Sequence, residues 1–406
     1  MNGDRAGGDA RRIMAEFARL TGLGPAGPEP RRYLWTDAFA VCNCLGLSRT
    51  SGDTACLELA LRLIGQVHQV LGRHRPDDPR RGWISGLGEE EGGRHPTIGG
   101  LRIGKRLPGR RRDEPMDERL EWDRDGQYFH YLTKWMHALG QAALATGDAT
   151  FLRWAMELAA TACARFTYVP RREAGKAMHW KMSIDLSYPL VPSMGQHDPL
   201  DGFVTCCALQ LAARGFPDPG RFPDLRAGTA DLAGICRGMD LTTDDPLGTG
   251  GLLTDALRIA QVLAQGSEEF LASLGAGLDD WIPVLLGEVL DAALTGLESF
   301  ADSSAARLPA EYRLAFRELG LSIGLAGVGP LHELIGKNPA FAAAGPSLLG
   351  KAEALMPFVP LGKHITGFWS EGRNQAVASW TEHKEINMVM LATSLAPGGF
   401  LGIQAG

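Results

Sequence analysis

Apolar residues recur along most of the chain at intervals of three and four positions, which is the period of an amphipathic α-helix. Two segments, beginning at Thr36 and at His130, share one pattern. Each has an apolar helix, a Gly-Asp turn and a second helix with Leu and Ala along one face. Both segments are therefore predicted to form helical hairpins.

The turns inside these hairpins support the prediction. Gly52 and Gly147 can adopt the left-handed conformation that ends a helix, and Asp53 and Asp148 then follow as caps of the next helix. A Gly-Ser pair later in the chain repeats this pattern, with Ser267 as the cap.

Further along, the segments beginning at Gln196 and Thr243 align at an offset of about 47 residues, the length of one hairpin with its connections. Such an array must stack its apolar faces, and the lack of a fixed-length repeat disfavours an open solenoid. We predict an all-α fold in which one domain, residues 1–406, closes into an (α/α)6 toroid. Only residues 166–185 carry a strand pattern, which predicts a small β-hairpin.

Inner and outer helices alternate in a toroid, so all inner helices begin at one rim. Inner helices are expected to begin near Asp37, Asp125, Asp201 and Thr249 and after Arg373. Outer helices are expected at Asp53, Asp148, Phe222 and Ser267. The long connections 74–124 and 167–197 precede inner helices and should lie over that rim. Long ordered loops are usually lids or binding loops.

Composition narrows the function classes. The 406 residues are 45% apolar and 22% charged, as in ordinary globular proteins, and 41 basic against 47 acidic residues give a net charge of −6. This balance disfavours nucleic acid and anionic membranes as partners. The N-terminus lacks the apolar segment of a secretion signal, and no apolar run reaches the ~18 residues of a membrane span, so a cytoplasmic protein is expected. The seven cysteines include no C-x-x-C pair and are expected to be buried, reduced thiols.

The first candidate cluster leads into an inner helix. It combines the carboxylates of Glu121, Asp123 and Asp125 with Trp122 and Gln127. A sugar ring can stack on indole while its hydroxyl groups bond to carboxylates, and a carboxyl group can donate or accept a proton. The alternative is helix capping, because acidic residues in a first turn complement the helix dipole.

The helix that follows carries a polar stripe at steps of three and four residues, formed by Gln127, His130, Lys134, His137 and Gln141. On an ordinary amphipathic helix this stripe faces solvent. On an inner helix the only wet face is the lumen, and His130, nearest the rim, is then the candidate for chemistry.

A second dense polar cluster precedes the next inner helix and contains His179, Trp180, His197, Asp198 and Asp201. Its spacing matches no metal-ligand motif, so neither a metal nor another cofactor is expected. Asp198 and Asp201 could set a turn and cap a helix. Capping leaves the two histidines and Trp180 unexplained, and a substrate-binding role accounts for them.

Further candidate binding residues complete the predicted ring: Trp35, Asp37, Asp245, Trp369 and His383. The chain has no G-x-S-x-G elbow, Walker A motif, H-E-x-x-H or G-x-G-x-x-G. Nucleophilic-serine and nucleotide-dependent chemistries are therefore unsupported.

The inner helices led by aspartate, the T-G-D turn and the rim tryptophans together resemble the six-hairpin glycosidase-like superfamily. This superfamily includes glycoside hydrolases and the N-acylglucosamine and cellobiose 2-epimerases. The resemblance implies a carbohydrate-active enzyme with its site in the funnel of the toroid, acting on a small sugar or an oligosaccharide. Hydrolases of the superfamily use a carboxyl pair and its epimerases use histidines, and this sequence offers both sets.

In the hydrolase interpretation, which we place first, the acid and base are Asp123 or Asp125 with Asp198 or Asp201. A separation of about 6.5–9.5 Å would predict inversion, and one of about 5–5.5 Å retention.

In the epimerase interpretation, the acid and base groups come from His130, His197 and His383. A third interpretation is a toroid without catalytic activity that binds a glycan or a protein. The sugar, its linkage and the oligomeric state stay open at the level of sequence.

Overall fold

A computed structural model describes residues 2–24, 29–171, 175–342 and 345–403. The chain divides into two compact units, a first unit of residues 18–238 and a second unit of residues 2–17 and 239–403. Helices make up most of both units, and each described strand is two residues long. The prediction of an all-α fold built from helical hairpins is confirmed. That all hairpins belong to one domain stays a prediction.

The N-terminal helix is α1 Asn2–Leu20. The first unit then contains eight helices in its described residues. They are α2 Leu34–Ser51, α3 Thr54–Leu71, α4 Glu89–Arg94, α5 Glu118–Glu121, α6 Phe129–Thr146, α7 Ala149–Phe166, α8 Asp198–Ala213 and α9 Arg226–Cys236. The strands are β1 Gln127–Tyr128, β2 Thr167–Tyr168, β3 Ala177–Met178 and β4 Lys181–Met182.

The second unit continues with the remaining helices. They are α10 Pro246–Gln265, α11 Glu268–Ser273, α12 Leu278–Asp302, α13 Ala315–Ala326, α14 Val328–Lys337, α15 Gly345–Leu355, α16 Val359–Ser370, α17 Ala378–Thr381, α18 Lys384–Leu395 and α19 Gly398–Leu401.

Three hairpins build the first unit: α2 with α3, α6 with α7, and α8 with α9. The leading helices also pack on one another, α2 on α6 and α6 on α8. They are buried on nearly all sides, and α2 has no exposed residue from Leu34 to Leu47. Helices α3 and α7, by contrast, bury only one face. Within this unit the predicted inner and outer layers are therefore present.

The hairpin turns form as predicted at two places. Gly52 and Gly147 have φ of 70° and 72°, and the side chains of Asp53 and Asp148 accept hydrogen bonds from backbone N–H groups of α3 and α7. The third turn is different. Ser267 caps α11 as expected, but the preceding glycine has an extended conformation with φ −77°, so no left-handed residue ends α10.

The predicted hairpin in residues 166–185 is present as β2 paired antiparallel with β3, and residues 172–174 of the 167–197 connection lie outside the described part. A second pair was not foreseen: β4 pairs with β1, directly before α6. Because β1 occupies residues 127–128, α6 begins four residues after the expected Asp125. This pairing brings the 167–197 connection against the start of α6.

In the second unit, α10 packs on α12, α13 and α14. A methyl group on Gly250 of α10 would lie 2.2 Å from the carbonyl oxygen of Gly320 of α13, so these helices cross at glycine. One helical stretch, Ala315–Lys337, has the length and hydropathy of a membrane span, and 61% of its most apolar window is buried in the fold, as in a core helix.

Candidate functional site

Only part of the predicted polar stripe of α6 is accessible to water. Gln127, His137 and Gln141 are buried, whereas His130 and Lys134 are partly exposed. Most other residues in the first three turns of α6 belong to the core, and Tyr131, next to His130, is the other partly exposed one. In this part of the helix the water-accessible surface therefore lies around His130.

A histidine–carboxylate pair forms at this surface. Nδ1 of His130 lies 3.4 Å from Oδ1 of Asp198, the first residue of α8. The side chain of Asp198 is 8% exposed and that of His130 is 34% exposed. The second oxygen of Asp198, Oδ2, is buried without a hydrogen-bond partner in the described structure. The pair thus joins an accessible imidazole to a buried carboxylate with one open acceptor.

Near-parallel aromatic rings flank His130. The ring of Tyr128 stacks on His130 at 5.4 Å between centroids and on Trp180 at 5.0 Å. Trp180 is held by a 2.9 Å hydrogen bond from its Nε1 to Ser193 and has Trp122, which is 61% exposed, 5.5 Å away. Burial raises the pKa of Tyr128, whose hydroxyl has no partner among the described residues. Tyr128 itself is buried, so the partly exposed ring of Trp180 and the exposed ring of Trp122 are the ones that offer a stacking surface for a sugar.

Two tyrosines that the sequence argument did not select complete this surface. The hydroxyl groups of Tyr33 and Tyr131 lie 2.6 Å apart, and the ring of Tyr131 meets His130 edge-on at 4.9 Å. Trp35, a predicted binding residue, lies 6.4 Å from Tyr131 but is buried. The run of aromatic residues at positions 128–131 was the available signal.

A largely buried ion pair lies one helical turn after His130 along α6. Nζ of Lys134 is 2.7 Å from Oδ1 of Asp201, and the hydroxyl of Thr133 donates to the other oxygen of Asp201. Lys134 and Asp201 are 17% and 7% exposed. Asp201 therefore joins α6 to α8.

Asp125, a predicted catalytic acid, is fully enclosed. Its Oδ2 lies 2.6 Å from Arg102 and 3.3 Å from Arg75, and its Oδ1 accepts hydrogen bonds from the backbone N–H groups of Gly104 and Gly126. The side chain has no exposed surface. These contacts fit an anchor that holds the 74–124 connection to the start of α6.

Two neighbours of Asp125 also hold the loops. Glu121 lies 2.6 Å from Arg110 and 3.2 Å from the buried Lys181, whose pKa is lowered by burial. The amide of Gln127 bonds to three backbone groups, at residues 99, 101 and 184. Asp123 is exposed at the surface.

Asp37 lies in the first turn of α2 and is buried. Its Oδ2 accepts a 2.9 Å hydrogen bond from the N–H of Tyr33, and its Oδ1 is 3.5 Å from Arg32. Burial raises the pKa of Asp37 to about 6, although the positive charge of Arg32 acts in the opposite direction.

The two remaining candidate histidines of the first unit differ in setting. His179 stacks on Tyr168 at 4.2 Å, and burial lowers its pKa. His197 is partly exposed and directly precedes Asp198, the partner of His130. Among the described residues, no group of three or more His, Cys, Asp or Glu side chains is arranged to hold a metal ion.

Three predicted binding residues belong to the second unit. Asp245 caps α10 and lies 3.0 Å from Arg317. Trp369 is completely buried and donates a 2.8 Å hydrogen bond to Glu318. His383 is partly exposed before α18.

Comparison with known proteins gives structural neighbours only. No family model matches the chain, and no curated protein matches it in sequence. It is similar in structure to the cellobiose 2-epimerase of Spirochaeta thermophila, with a TM-score of 0.46, 14% identity and coverage of 94% of this chain and 97% of that one. It is also similar to a sugar epimerase from a ruminal bacterium, with a TM-score of 0.44, 9% identity and coverage of 89% and 87%.

Proposed function

We propose that this protein is a carbohydrate-active enzyme that moves a proton at a sugar carbon, as a sugar epimerase or isomerase does. The observation that carries the proposal is the His130–Asp198 pair, a partly exposed imidazole beside a buried carboxylate. The accessible rings of Trp180 and Trp122 provide a surface against which a sugar ring can lie, and the buried ring of Tyr128 stacks on both His130 and Trp180. Histidine is the side chain whose ordinary pKa best suits proton transfer near neutral pH.

The proposed step starts from the open-chain sugar. The neutral imidazole of His130 takes the proton from the carbon next to the carbonyl group, leaving an enediolate, and the carboxylate of Asp198 stabilises the imidazolium that forms. Return of a proton to the opposite face of that carbon gives the epimer, with no net change in atoms. His197, which adjoins Asp198, is the candidate for that second group.

The unpartnered buried oxygens fit a polyhydroxylated substrate. Oδ2 of Asp198 and the hydroxyl of Tyr128 are buried without partners in the described structure. Leaving such groups unsatisfied is costly, and a hydroxyl group of a bound sugar would satisfy them.

A glycoside hydrolase is less well supported by the same geometry. It needs two carboxyl groups that face one glycosidic bond. Asp125 is enclosed by two arginines, Asp123 lies at the surface, and Asp201 is bound to Lys134. Asp198 is the predicted catalytic carboxylate with an open oxygen, and it sits against His130. We further propose that the substrate is a small carbohydrate and that the protein acts in the cytoplasm.

The test is incorporation of deuterium from D₂O into carbon-bound positions of candidate sugars, followed by NMR, beside an assay for released reducing sugar. We expect deuterium at the carbon next to the carbonyl group and a new epimer with the wild-type protein. His130→Gln should lower the rate by about 10²–10⁴-fold, whereas His364→Gln, at an exposed histidine of the second unit, should leave it unchanged.

Release of reducing sugar without deuterium exchange would instead establish the hydrolase. Exchange that is unaffected by His130→Gln would contradict the assignment of the base.

A further inference from the structure

A cavity of about 560 Å³ lies in the first unit, between the 74–124 connection and residues 183–188. Its volume is within the range of about 300–1,000 Å³ that small-molecule sites occupy. Neither His130 nor Asp198 lines it. The wall instead consists of arginine–carboxylate pairs around a tyrosine and a few apolar side chains.

One group of charged residues in this wall centres on Arg80. Its guanidinium group reaches Oδ2 of Asp185 at 2.6 Å and Oδ2 of Asp78 at 3.0 Å. The hydroxyl groups of Ser183 and Ser187 donate to the other oxygen of Asp185 at 2.8 and 2.6 Å. Asp185 is still 30% exposed, so its carboxylate is held in place while it faces the cavity.

Two further pairs repeat the arrangement. Arg124 donates to Glu114 through its two terminal guanidinium nitrogens, at 3.0 and 2.6 Å. Arg75 likewise donates to Asp77 through two nitrogens, at 2.7 and 2.9 Å. Bidentate pairs fix the planes of both partners, so ordering these side chains costs a ligand little conformational entropy.

The charges of the wall nearly balance. The lining includes five arginines and four carboxylates. Two of these arginines, Arg75 and Arg110, also contact the carboxylates of Asp125 and Glu121. A phosphate or carboxylate ligand would therefore meet little net positive charge. Donors and acceptors lie side by side instead, which suits neighbouring hydroxyl groups that donate to a carboxylate and accept from a guanidinium.

We infer that this cavity is a binding site for a neutral, polyhydroxylated small molecule, a mono- or disaccharide, separate from the His130 surface. Tyr188 supplies the apolar contact, and its position is fixed by a 2.6 Å hydrogen bond from its hydroxyl to the carbonyl of Arg110. Leu107 and Ile184 extend the apolar part of the wall.

Ligand-observed NMR and calorimetry with cellobiose and maltose as neutral probes, and glucuronate and inorganic phosphate as anionic probes, test the site. We expect His130→Gln protein to bind a neutral probe, and Asp185→Asn to weaken that binding roughly tenfold, because a hydrogen bond to a charged acceptor is lost. Asp113→Asn is the matched control, since Asp113 is 85% exposed and outside the lining. Thermal melts check that each variant is folded.

Should Asp185→Asn fail to fold, Arg111→Trp provides the second variant. Arg111 is 80% exposed at the edge of the cavity, so indole there blocks the entrance without removing an internal pair. Three outcomes overturn the proposal: no neutral probe binds His130→Gln protein, folded Asp185→Asn or Arg111→Trp protein binds as well as wild type, or only the anionic probes bind. Deuterium exchange by the wild-type protein is measured separately, so failure of this site and failure of the proposed reaction are distinguished.

Discussion

The carboxylate of Asp198 lies 3.4 Å from Nδ1 of His130, and the backbone of Gly195 closes its other side. A methyl group on Gly195 would fall 2.5–2.6 Å from the carboxyl atoms of Asp198. Real side chains do not approach so closely, so any other residue at position 195 must displace the carboxylate. The absence of a side chain at Gly195 is therefore part of the geometry of the His130 pair.

Gly195→Ala should therefore lower turnover by about 100-fold, the effect of a displacement of roughly 1 Å at a reacting group. Gly195 does not have a left-handed backbone, so the unfolding free energy should change little. Steady-state kinetics and urea unfolding of the variant measure both quantities. Gly234→Ala, at a helical glycine with open space around it, is the control, and equal kinetics for the two variants would contradict the argument.

Asp125→Asn should destabilise the fold by about 3 kcal/mol, because it leaves the buried Arg102 and the partly buried Arg75 with a neutral partner. The adjacent surface carboxylate provides the comparison: Asp123→Asn should stay within about 0.5 kcal/mol of wild type. Urea unfolding measures both, and limited proteolysis should show earlier cleavage in residues 74–124 of the Asp125 variant alone. A stable Asp125→Asn protein with abolished turnover would instead support catalysis by this residue.

Lys134→Met should lower the unfolding free energy by about 3 kcal/mol, since it removes the cation beside the buried carboxylate of Asp201. The double variant Lys134→Met/Asp201→Leu should recover much of this loss, because no buried charge is left behind. Chemical unfolding of the two single variants and the double variant gives the coupling free energy between Lys134 and Asp201. Additive losses would show that the two side chains act independently.

Asp37 should make the protein less stable as the pH rises from about 4 to about 6. Its pKa is about 6 in the folded protein, against an ordinary value of 3.8, so the folded state binds the extra proton in this window. Above the window the buried charge costs on the order of 3 kcal/mol. Urea unfolding at pH 4, 5, 6 and 7 measures the unfolding free energy of wild type and of Asp37→Asn. Between pH 4 and pH 7 the wild type should lose about this amount relative to the variant. A difference between the two proteins that does not change with pH would contradict the prediction.

The sequence predicted the parts of the fold that depend on neighbours along the chain. The turns at Gly52 and Gly147 form because a left-handed residue ends one helix and the aspartate after it caps the next. These interactions join residues no more than four positions apart. The alternation of inner and outer helices expected in a toroid likewise assigned α2, α6 and α8 to the inner layer.

The sequence placed His130 at the wet end of its helix but did not identify the carboxylate it would meet. Asp198 and Asp201 are three residues apart on α8, and the sequence offered both as catalytic carboxylates without distinguishing between them. The packing of α8 on α6 pairs the first with His130 and the second with Lys134. Register between two helices is fixed by the fit of their buried faces, which a sequence of one chain does not display.

The sequence by itself therefore determined the all-α class, the hairpin turns and the concentration of polar residues before α6 and α8. Only the tertiary structure decided what each carboxylate does. Asp125 meets Arg75, 50 residues earlier, and Arg102, 23 residues earlier, and Arg80 meets Asp185, 105 residues later. Helices and caps arise from local hydrogen bonds, whereas these ion pairs exist only where packing brings distant segments together and excludes water from between them.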